Sequence, residues 1–256
     1  MPFTKMNMVY AATTGTRTER RREARRRAIL DAAMGLVRQD GLEALTIQRL
    51  ATELDLTVGA LYRYFPSKAV IIGELERLAI AEIGGLLATR LAAVEASIPD
   101  TATAQDGRLA ALVALALTYG RYAVDRPEGF GLVSKIMIDP RNLLPEEEAR
   151  SVVGPLMSLL VRIAQHFTAA QKTGALSEGD AFQRTVLLWS GLRAAAELRK
   201  LAAYHPDIVD PDALYAEMTR TLLRGWGATA AALERAHALA RSAGFSADRP
   251  TQEPRP

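Results

Sequence analysis

Residues 45–68, LTIQRLATELDLTVGALYRYFPSK, constrain the fold most, because they predict two short helices separated by only two residues. Thr46 can cap the first helix, which we predict over residues 47–54 because apolar residues recur there at helical spacing. Asp55 and Leu56 are too short a connection for anything but a sharp helix–helix corner. The segment therefore predicts a helix–turn–helix.

The second predicted helix spans residues 58–65, with Thr57 as its cap and Pro66 at its end. Leu61 and Phe65 lie four residues apart, so both can point into a core. The small residues at its start and its flanking tyrosines suit insertion into a DNA major groove, because base edges are reached from the N-terminal turn of such a helix. An ordinary helical corner with surface tyrosines is the alternative.

Residues 25–72 resemble the DNA-binding domain of the tetracycline-repressor (TetR) family. The matching features are spread along the segment: Ala28-Ile29-Leu30 and Ala32-Ala33 in a first helix, Gly41 after it, Leu45-Thr46 opening the second, and Gly59-x-Leu61-Tyr62-x-x-Phe65-x-x-Lys68 through the third. The resemblance implies a three-helix DNA-binding domain over residues 19–70.

The resemblance also implies which side chains meet DNA. Thr46 would cap its helix beside a phosphate, and Gln48 and Arg49 would lie toward the DNA, with Gln48 the better base reader because an amide can donate and accept. The residues of the third helix expected to face the groove are Thr57, Val58, Gly59, Ala60 and Tyr62. Tyr64 and Lys68 are expected to contact the DNA backbone. Simpler roles are open for some of them: the threonines as caps, Tyr64 as a surface aromatic, and Lys68 as a partner of the helix dipole.

Positive charge is concentrated in the first quarter of the chain. Residues 1–68 hold 12 Lys and Arg against 7 Asp and Glu, whereas residues 69–256 hold 20 against 22. Seven arginines lead into the first helix: Arg17, Arg20, Arg21, Arg22, Arg25, Arg26 and Arg27. Beside a helix–turn–helix, such a run favours contact with phosphates or the neighbouring minor groove over a merely solvated surface. We expect residues 1–18 to form a disordered basic arm.

The remaining composition argues against an enzyme and against a metalloprotein. The chain has no cysteine, and His166, His205 and His237 are far apart without a metal-ligand pattern. It contains no glycine-rich phosphate loop, nucleophile elbow or dinucleotide fingerprint. We therefore expect no catalytic residue, no metal and no cofactor. The lack of a secretory h-region and of any uninterrupted 18-residue apolar run predicts a cytoplasmic protein without a membrane partner.

Helical periodicity continues through the rest of the chain, so the expected fold class is all-α. We predict a larger helical ligand-binding and dimerisation domain over residues 71–241 and a disordered tail over residues 242–256. The predicted helices span residues 69–98, 108–124, 127–138, 145–172, 177–201 and 211–240. The first of these carries an apolar stripe and would connect the two domains.

The last two predicted helices combine apolar residues at helical spacing with small residues that permit close packing. They could be core helices of one subunit or half of an intersubunit four-helix bundle. The resemblance favours the bundle, because the family dimerises through its final long helices, and a twofold dimer suits a palindromic site. The residues predicted at this interface are Phe182, Trp189, Leu192, Met218, Leu222 and Trp226.

A ligand site is expected between the DNA-binding domain and this bundle. The large or polarizable side chains of that region suit a mostly apolar pocket with a few polar groups, although most of them could be ordinary core. They are Tyr119, Tyr122, Phe130, Met137, Met157, His166, Phe167 and Trp189.

These features together predict a homodimeric, ligand-responsive repressor that binds a double-stranded DNA operator. A small-molecule effector would tilt the helix over residues 69–98 and change the separation of the two reading helices, which must be about 34–36 Å apart to enter successive major grooves. Two other classes stay open: a helical small-molecule-binding protein without specific operator binding, and a non-specific architectural DNA-binding protein. Comparing affinity for random and selected DNA separates the architectural class from a regulator. Ligand binding or turnover without salt-dependent DNA affinity would mark the small-molecule-binding class.

Overall fold

The computed structural model describes residues 16–138, 146–198, 204–205 and 210–244, and within these ranges the regular elements are all helices. Besides a short 3-10 helix at Leu42–Ala44, they include α1 (Arg17–Asp40), α2 (Ile47–Glu53), α3 (Val58–Tyr62), α4 (Lys68–Ser97), α5 (Ala104–Asp125), α6 (Pro127–Ile138), α7 (Glu146–Lys172), α8 (Ala181–Glu197), α9 (Pro211–Gly225) and α10 (Ala230–Ser242). The all-α prediction is confirmed. The chain divides into two compact units, Met1–Ile71 and Ile72–Pro256.

The first unit is built on α1, which begins earlier than the predicted domain boundary at residue 19. Thr16 and Glu19 form a reciprocal capping box: the Thr16 hydroxyl accepts the Glu19 amide hydrogen at 3.3 Å, and the Glu19 carboxylate accepts the Thr16 amide hydrogen at 2.6 Å. Arg17 is therefore already helical, whereas residues 1–15 of the predicted arm lie outside the described residues. Gly41 ends α1 with a φ of 81°, a conformation that favours glycine.

Both helices of the helix–turn–helix end sooner than predicted. α2 ends at Glu53 rather than Leu54, and α3 ends at Tyr62 rather than Phe65. Pro66 explains the second difference, since a proline disfavours helical backbone in the residue before it. Phe65 nevertheless points into the core and is fully buried.

The second unit is organised around α5, which is buried along most of its length and is in contact with α6, α7, α8, α9 and α10. A capping box between Thr103 and Asp106 starts α5 at Ala104, four residues before the predicted start. The buried Asp106 carboxylate also accepts a hydrogen bond from Nε of Arg235 of α10 at 3.1 Å, and Nη2 of the same guanidinium lies 2.9 Å from it as an ion pair. This hydrogen bond is the main reason that the pKa of Asp106 lies below its ordinary value.

The prediction of a single helix over residues 211–240 was wrong, because this segment forms two helices, α9 and α10. Gly227 has a φ of 105°, and the Thr229 hydroxyl accepts the Ala232 amide hydrogen to start α10. The apolar spacing continues across this break, so periodicity alone does not reveal it. In the preceding helix, Asp180 caps α8, which begins at Ala181 rather than Ser177. The predicted end of that helix at residue 201 lies outside the described residues.

Candidate nucleic-acid interface and ligand cleft

Two capping threonines fix the corner between α2 and α3. The Thr46 hydroxyl accepts the amide hydrogen of Arg49 at 3.1 Å, and the Thr57 hydroxyl accepts that of Ala60 at 3.1 Å. Between the helices, Asp55 has a φ of 52°, a left-handed conformation that aspartate adopts more readily than most residues. The predicted caps and corner are present, and they hold α3 in one direction.

The two sides of α3 differ sharply in exposure. Leu61 is fully buried, which anchors the inner side of the helix in the core of the first unit. On the outer side, Thr57 and Gly59 are exposed, Val58 is 37% exposed and Tyr62 is 47% exposed, with Ala60 half-buried between them. The outer surface of α3 therefore carries small, mostly apolar side chains and no charged ones. The Tyr62 phenol lies at its end.

Gly59 has no structural role that the first unit reveals. A Cβ atom at this position would meet no atom within 4 Å, and its backbone is not in the left-handed region. Glycine inside a helix costs about 0.5–1 kcal/mol relative to alanine. The helix therefore keeps open space above Gly59, where another molecule could approach its backbone closely.

The predicted residues of α2 lie at the surface but differ in what holds them. Thr46, Gln48 and Arg49 are all exposed. The Arg49 guanidinium forms an ion pair with Asp40 at the end of α1. A phosphate that met Arg49 would have to share it with this carboxylate, whereas Gln48 projects its amide from an exposed position.

Tyr64 lies just beyond α3 and is half-buried. Its carbonyl oxygen accepts a hydrogen bond from Nη1 of Arg26 at 2.7 Å, and the Arg26 guanidinium lies 4.4 Å from the centre of the Phe65 ring. These contacts tie α1 to the segment that follows α3.

Lys68 is the first residue of α4, whose first turn is capped by the Ser67 hydroxyl, which accepts the Val70 amide hydrogen at 3.2 Å. A cation at the N-terminal end of a helix is unfavourably placed in the helix dipole, so the dipole does not explain Lys68. The Lys68 ammonium group and the backbone amide groups of that turn together suit an external anion such as a phosphate.

An open cleft of about 230 Å³ lies in the second unit between the end of α4, the start of α5, and α7. Its walls are mainly aliphatic, and its polar side chains include Glu95, Arg108 and His166. Burial, followed by the nearby Arg108 charge, lowers the pKa of His166, so the imidazole is neutral at pH 7. Of the seven residues predicted to bind ligand whose side chains the structure describes, only His166 lines this cleft.

The other predicted ligand residues are distributed over several places. Tyr119 accepts a hydrogen bond from the Trp189 indole at 3.0 Å and packs edge to face against Phe130, with ring centres 5.8 Å apart. Tyr122 is buried, with its hydroxyl 3.5 Å from the carbonyl oxygen of Ala79. These side chains contact one another or the backbone and so fill the interior. Burial raises the pKa of both tyrosines.

Phe167 is fully buried and packs edge to face on Trp226, whereas Met157 is exposed. The side chain of Met137 lies outside the described residues. Apolar periodicity could not reveal this separation, because the helices that carry these residues have apolar side chains on more than one side.

Residues predicted at the dimer interface make many of their contacts inside one subunit. Leu192 is buried, and Trp226 packs on Phe167 and under Arg184. Met218 packs closely on Gly191, where an added Cβ atom would lie only 2.9 Å from its sulfur. Phe182, Trp189 and Leu222 are half-buried.

A different set of apolar residues is exposed on the same group of helices. We call it the outer apolar surface; it consists of Val153, Met157 and Val161 of α7, Leu187 and Leu198 at α8, and Leu214 of α9. By length and composition, the segment Ala149–Lys172 is long and apolar enough to cross a membrane. Only 33% of its most apolar 18-residue stretch is buried. The spacing of Val153, Met157 and Val161 at four-residue intervals is a sequence signal that could have predicted this surface, but the sequence analysis places the interface on other residues.

Glu76 of α4 is an unusual buried acid in the second unit. It is 4% exposed, and its Oε2 atom has no hydrogen-bond partner among the described residues. Burial raises its pKa to about 7. In the described part of the chain, no group of three or more His, Asp or Glu side chains is placed to hold a metal ion.

Comparison with protein families matches both units. Residues 29–75 match the family described as "Bacterial regulatory proteins, tetR family", and residues 112–222 match the "Tetracyclin repressor-like, C-terminal domain". The HTH-type transcriptional repressor KstR of Mycobacterium tuberculosis is 39% identical over 71 residues. That match spans 28% of this chain and 32% of KstR, so it covers about a third of the relative.

Solved structures extend the similarity to most of the chain. The TetR-family regulator PfmR of Thermus thermophilus aligns with a TM-score of 0.55 and 21% identity, covering 77% of this chain and 97% of PfmR. RolR in complex with resorcinol aligns with a TM-score of 0.55 and 18% identity, covering 85% of this chain and 95% of RolR. These alignments show the same fold. With a matching N-terminal and C-terminal domain, the chain belongs to the TetR family of bacterial regulatory proteins.

Proposed function

We propose that this chain is a ligand-responsive, DNA-binding transcriptional regulator that acts as a homodimer and represses by occupying a palindromic operator. The observation that carries the proposal is the outer surface of α3, where Gly59 leaves space that no atom of the described residues fills. A DNA base edge at the floor of the major groove requires such a close approach. The partial match to the repressor KstR supports repression rather than activation.

Base reading is assigned to the outer surface of α3 and to Gln48 of α2. The α3 residues that would enter the groove are Thr57, Val58, Gly59, Ala60 and Tyr62. Thr46, Tyr64 and Lys68 would contact phosphates on either side, and Arg49 would do so while paired with Asp40. This division separates residues that give specificity from residues that give affinity.

Two copies are needed because one short helix reads too few base pairs. The outer apolar surface supports a second copy as its partner, since α8 contacts both α7 and α9 and all three expose aliphatic side chains. A surface of this kind on a regulator indicates a protein interface. We place the interface on this surface, alongside the half-buried Phe182, Trp189 and Leu222.

The effector site is assigned to the cleft beside His166. Its aliphatic walls suit the body of a small organic molecule, and Arg108 with the neutral His166 imidazole can bind a polar group. RolR, which shares this fold, holds resorcinol in one of its structures, and this supports a small organic effector. Leu91 and Val94 of α4, and Ile98 directly after it, line the cleft, so a ligand there would act on the helix that begins next to the helix–turn–helix.

A ligand shifts operator affinity only if it prefers one conformer, and typical couplings are about 1–3 kcal/mol, or roughly 5–150-fold. Because its target is chromosomal DNA, the protein would act in the bacterial cytoplasm. The assignment includes no catalytic step.

Selection of bound sequences from a random duplex library tests the proposal. We expect a palindromic motif that binds on the order of 10³-fold or more tighter than random DNA at physiological salt. Similar affinity for all duplexes would instead indicate an architectural DNA-binding protein. No salt-dependent DNA affinity at all would indicate a helical small-molecule-binding protein.

A further inference from the structure

The first turns of α1 project from the first unit. Every residue from 16 to 24 is exposed, whereas the core contribution of α1 begins at Ile29. A helix that is exposed on all sides gains nothing from packing, so its composition reflects another requirement. We call residues 17–25 the α1 extension.

The α1 extension is strongly basic. It contains Arg17, Arg20, Arg21, Arg22 and Arg25, with Glu19 and Glu23 as its acids. Both acids are engaged locally: Glu19 belongs to the capping box with Thr16, and Glu23 lies 3.9 Å from the Arg26 guanidinium. Like charges at three- and four-residue spacing destabilise an isolated helix, so a partner of opposite charge is favoured.

The base of the extension is attached to the segment that follows α3. Arg26, the residue after the extension, donates to the carbonyl oxygen of Tyr64 and stacks on the Phe65 ring. The extension therefore joins the rest of the first unit beside Tyr64, which the proposed function places on the DNA backbone. Phosphates further along the same strand are the nearest anions that such a helix could meet.

We propose that the α1 extension is a second DNA contact of each subunit, which binds phosphates that flank the half-site read by α3. This inference rests on the proposed function. A helix with side chains is about 10–12 Å across, so it does not enter a minor groove about 6 Å wide and cannot read bases there as an extended arm would. Its residues span about 12 Å at roughly 1.5 Å per residue, which is enough to follow several phosphates of one strand.

The test is a double variant, R17Q/R21Q, which removes two exposed charges one helical turn apart. Dissociation constants for operator and random duplexes are measured over a range of salt concentrations. Each lost phosphate contact lowers the log–log salt slope by about 0.9, so a dimer that loses up to four contacts should show a decrease on the order of 2–4. Both duplexes should weaken by the same factor, and the footprint should lose protection at its outer edges.

Two further variants make the result specific. R121Q/R241Q removes the same charge from exposed positions of the second unit and should leave the slope unchanged. R17K/R21K keeps both charges and should retain most of the wild-type slope. Circular dichroism checks that helix content is equal in all four proteins.

The proposal is overturned if R17Q/R21Q has the wild-type salt slope, because the extension is then only a solvated helix. It is also overturned if affinity falls for the operator alone, since that indicates base reading. Failure of the proposed function looks different: the wild-type protein would show no preference for selected over random DNA, whatever the slope of the variant.

Discussion

The two units differ in where their chemically informative side chains lie. In the first unit, the residues expected to meet DNA are on the outside of α3, while Leu61 and Phe65 fix that helix in the core. In the second unit, Tyr119, Trp189 and Phe167 contact other side chains, and the open cleft is lined mainly by aliphatic residues. Exposure therefore points to function in the first unit, whereas aromatic content in the second mostly points to packing.

The largest expected effect is at Gly59. Gly59→Leu should abolish operator binding, because the new side chain occupies the space that a base edge requires, while the folded unit has room for it. The control Gly59→Ala should stabilise the unit by about 0.5–1 kcal/mol while it weakens operator binding. Thermal unfolding and DNA titration measure both effects. Retained operator affinity in Gly59→Leu would show that α3 does not enter the groove.

The second prediction separates the outer apolar surface from the interior of the same helices. Leu187 is 50% exposed, so Leu187→Arg should leave the subunit folded but place an unpaired charge in each half of the dimer interface. We expect a loss of dimer stability of about 3–5 kcal/mol and monomers by analytical ultracentrifugation. Leu86→Arg, at an exposed leucine of α4, is the matched control and should remain a dimer.

Trp226→Ala extends this comparison. Trp226 packs on Phe167 within the subunit, so its removal should lower the free energy of unfolding of the subunit by about 3–5 kcal/mol. Denaturant unfolding measures this loss. If Trp226→Ala instead gives well-folded monomers and Leu187→Arg stays dimeric, the interface follows the original sequence prediction.

A smaller effect is expected from the buried acid of α4. The folded-state pKa of Glu76 is about 7 against 4.5 when unfolded, so the folded protein binds the extra proton. The contribution of Glu76 to the free energy of unfolding should therefore be most favourable below pH 4.5, and it should decrease as the pH rises to about 7. The slope from one group is at most about 1.4 kcal/mol per pH unit. Denaturant unfolding of Glu76→Gln, compared with wild type over this range, should show that this slope is lost; an unchanged slope would assign it to other groups.

Sequence information was sufficient where the relevant contacts are local. The caps at Thr46 and Thr57, the corner at Asp55 and the inward Leu61 and Phe65 all lie within one short segment, so their spacing predicts their arrangement. Apolar periodicity places the start of α5 at residue 108, whereas the capping box of Thr103 and Asp106 starts the helix at Ala104, before the apolar repeat begins. The break at Gly227 was missed because the apolar spacing runs through it.

The second unit could not be predicted to the same detail because its helices are apolar on more than one side. α7 carries an inner stripe that includes Phe167 and an outer one that includes Val161, and the sequence alone does not say which faces the core. The cleft depends on the approach of α4, α5 and α7, and Arg108 and Glu95 have no local pattern that marks them as lining residues.

The central claim is that the small apolar surface of α3 reads the operator, and its most direct test is removal of single methyl groups from the DNA. Val58, Ala60 and the Thr57 methyl can contact the 5-methyl group of thymine in the major groove. Replacing such a thymine by uracil should cost about 0.8 kcal/mol, or roughly fourfold in affinity, at each contacted position. Gly59→Leu, which no longer inserts α3, should bind the thymine and uracil duplexes with the same residual, non-specific affinity. If uracil at every half-site position leaves wild-type affinity unchanged, the outer surface of α3 does not read the operator and the central claim is contradicted.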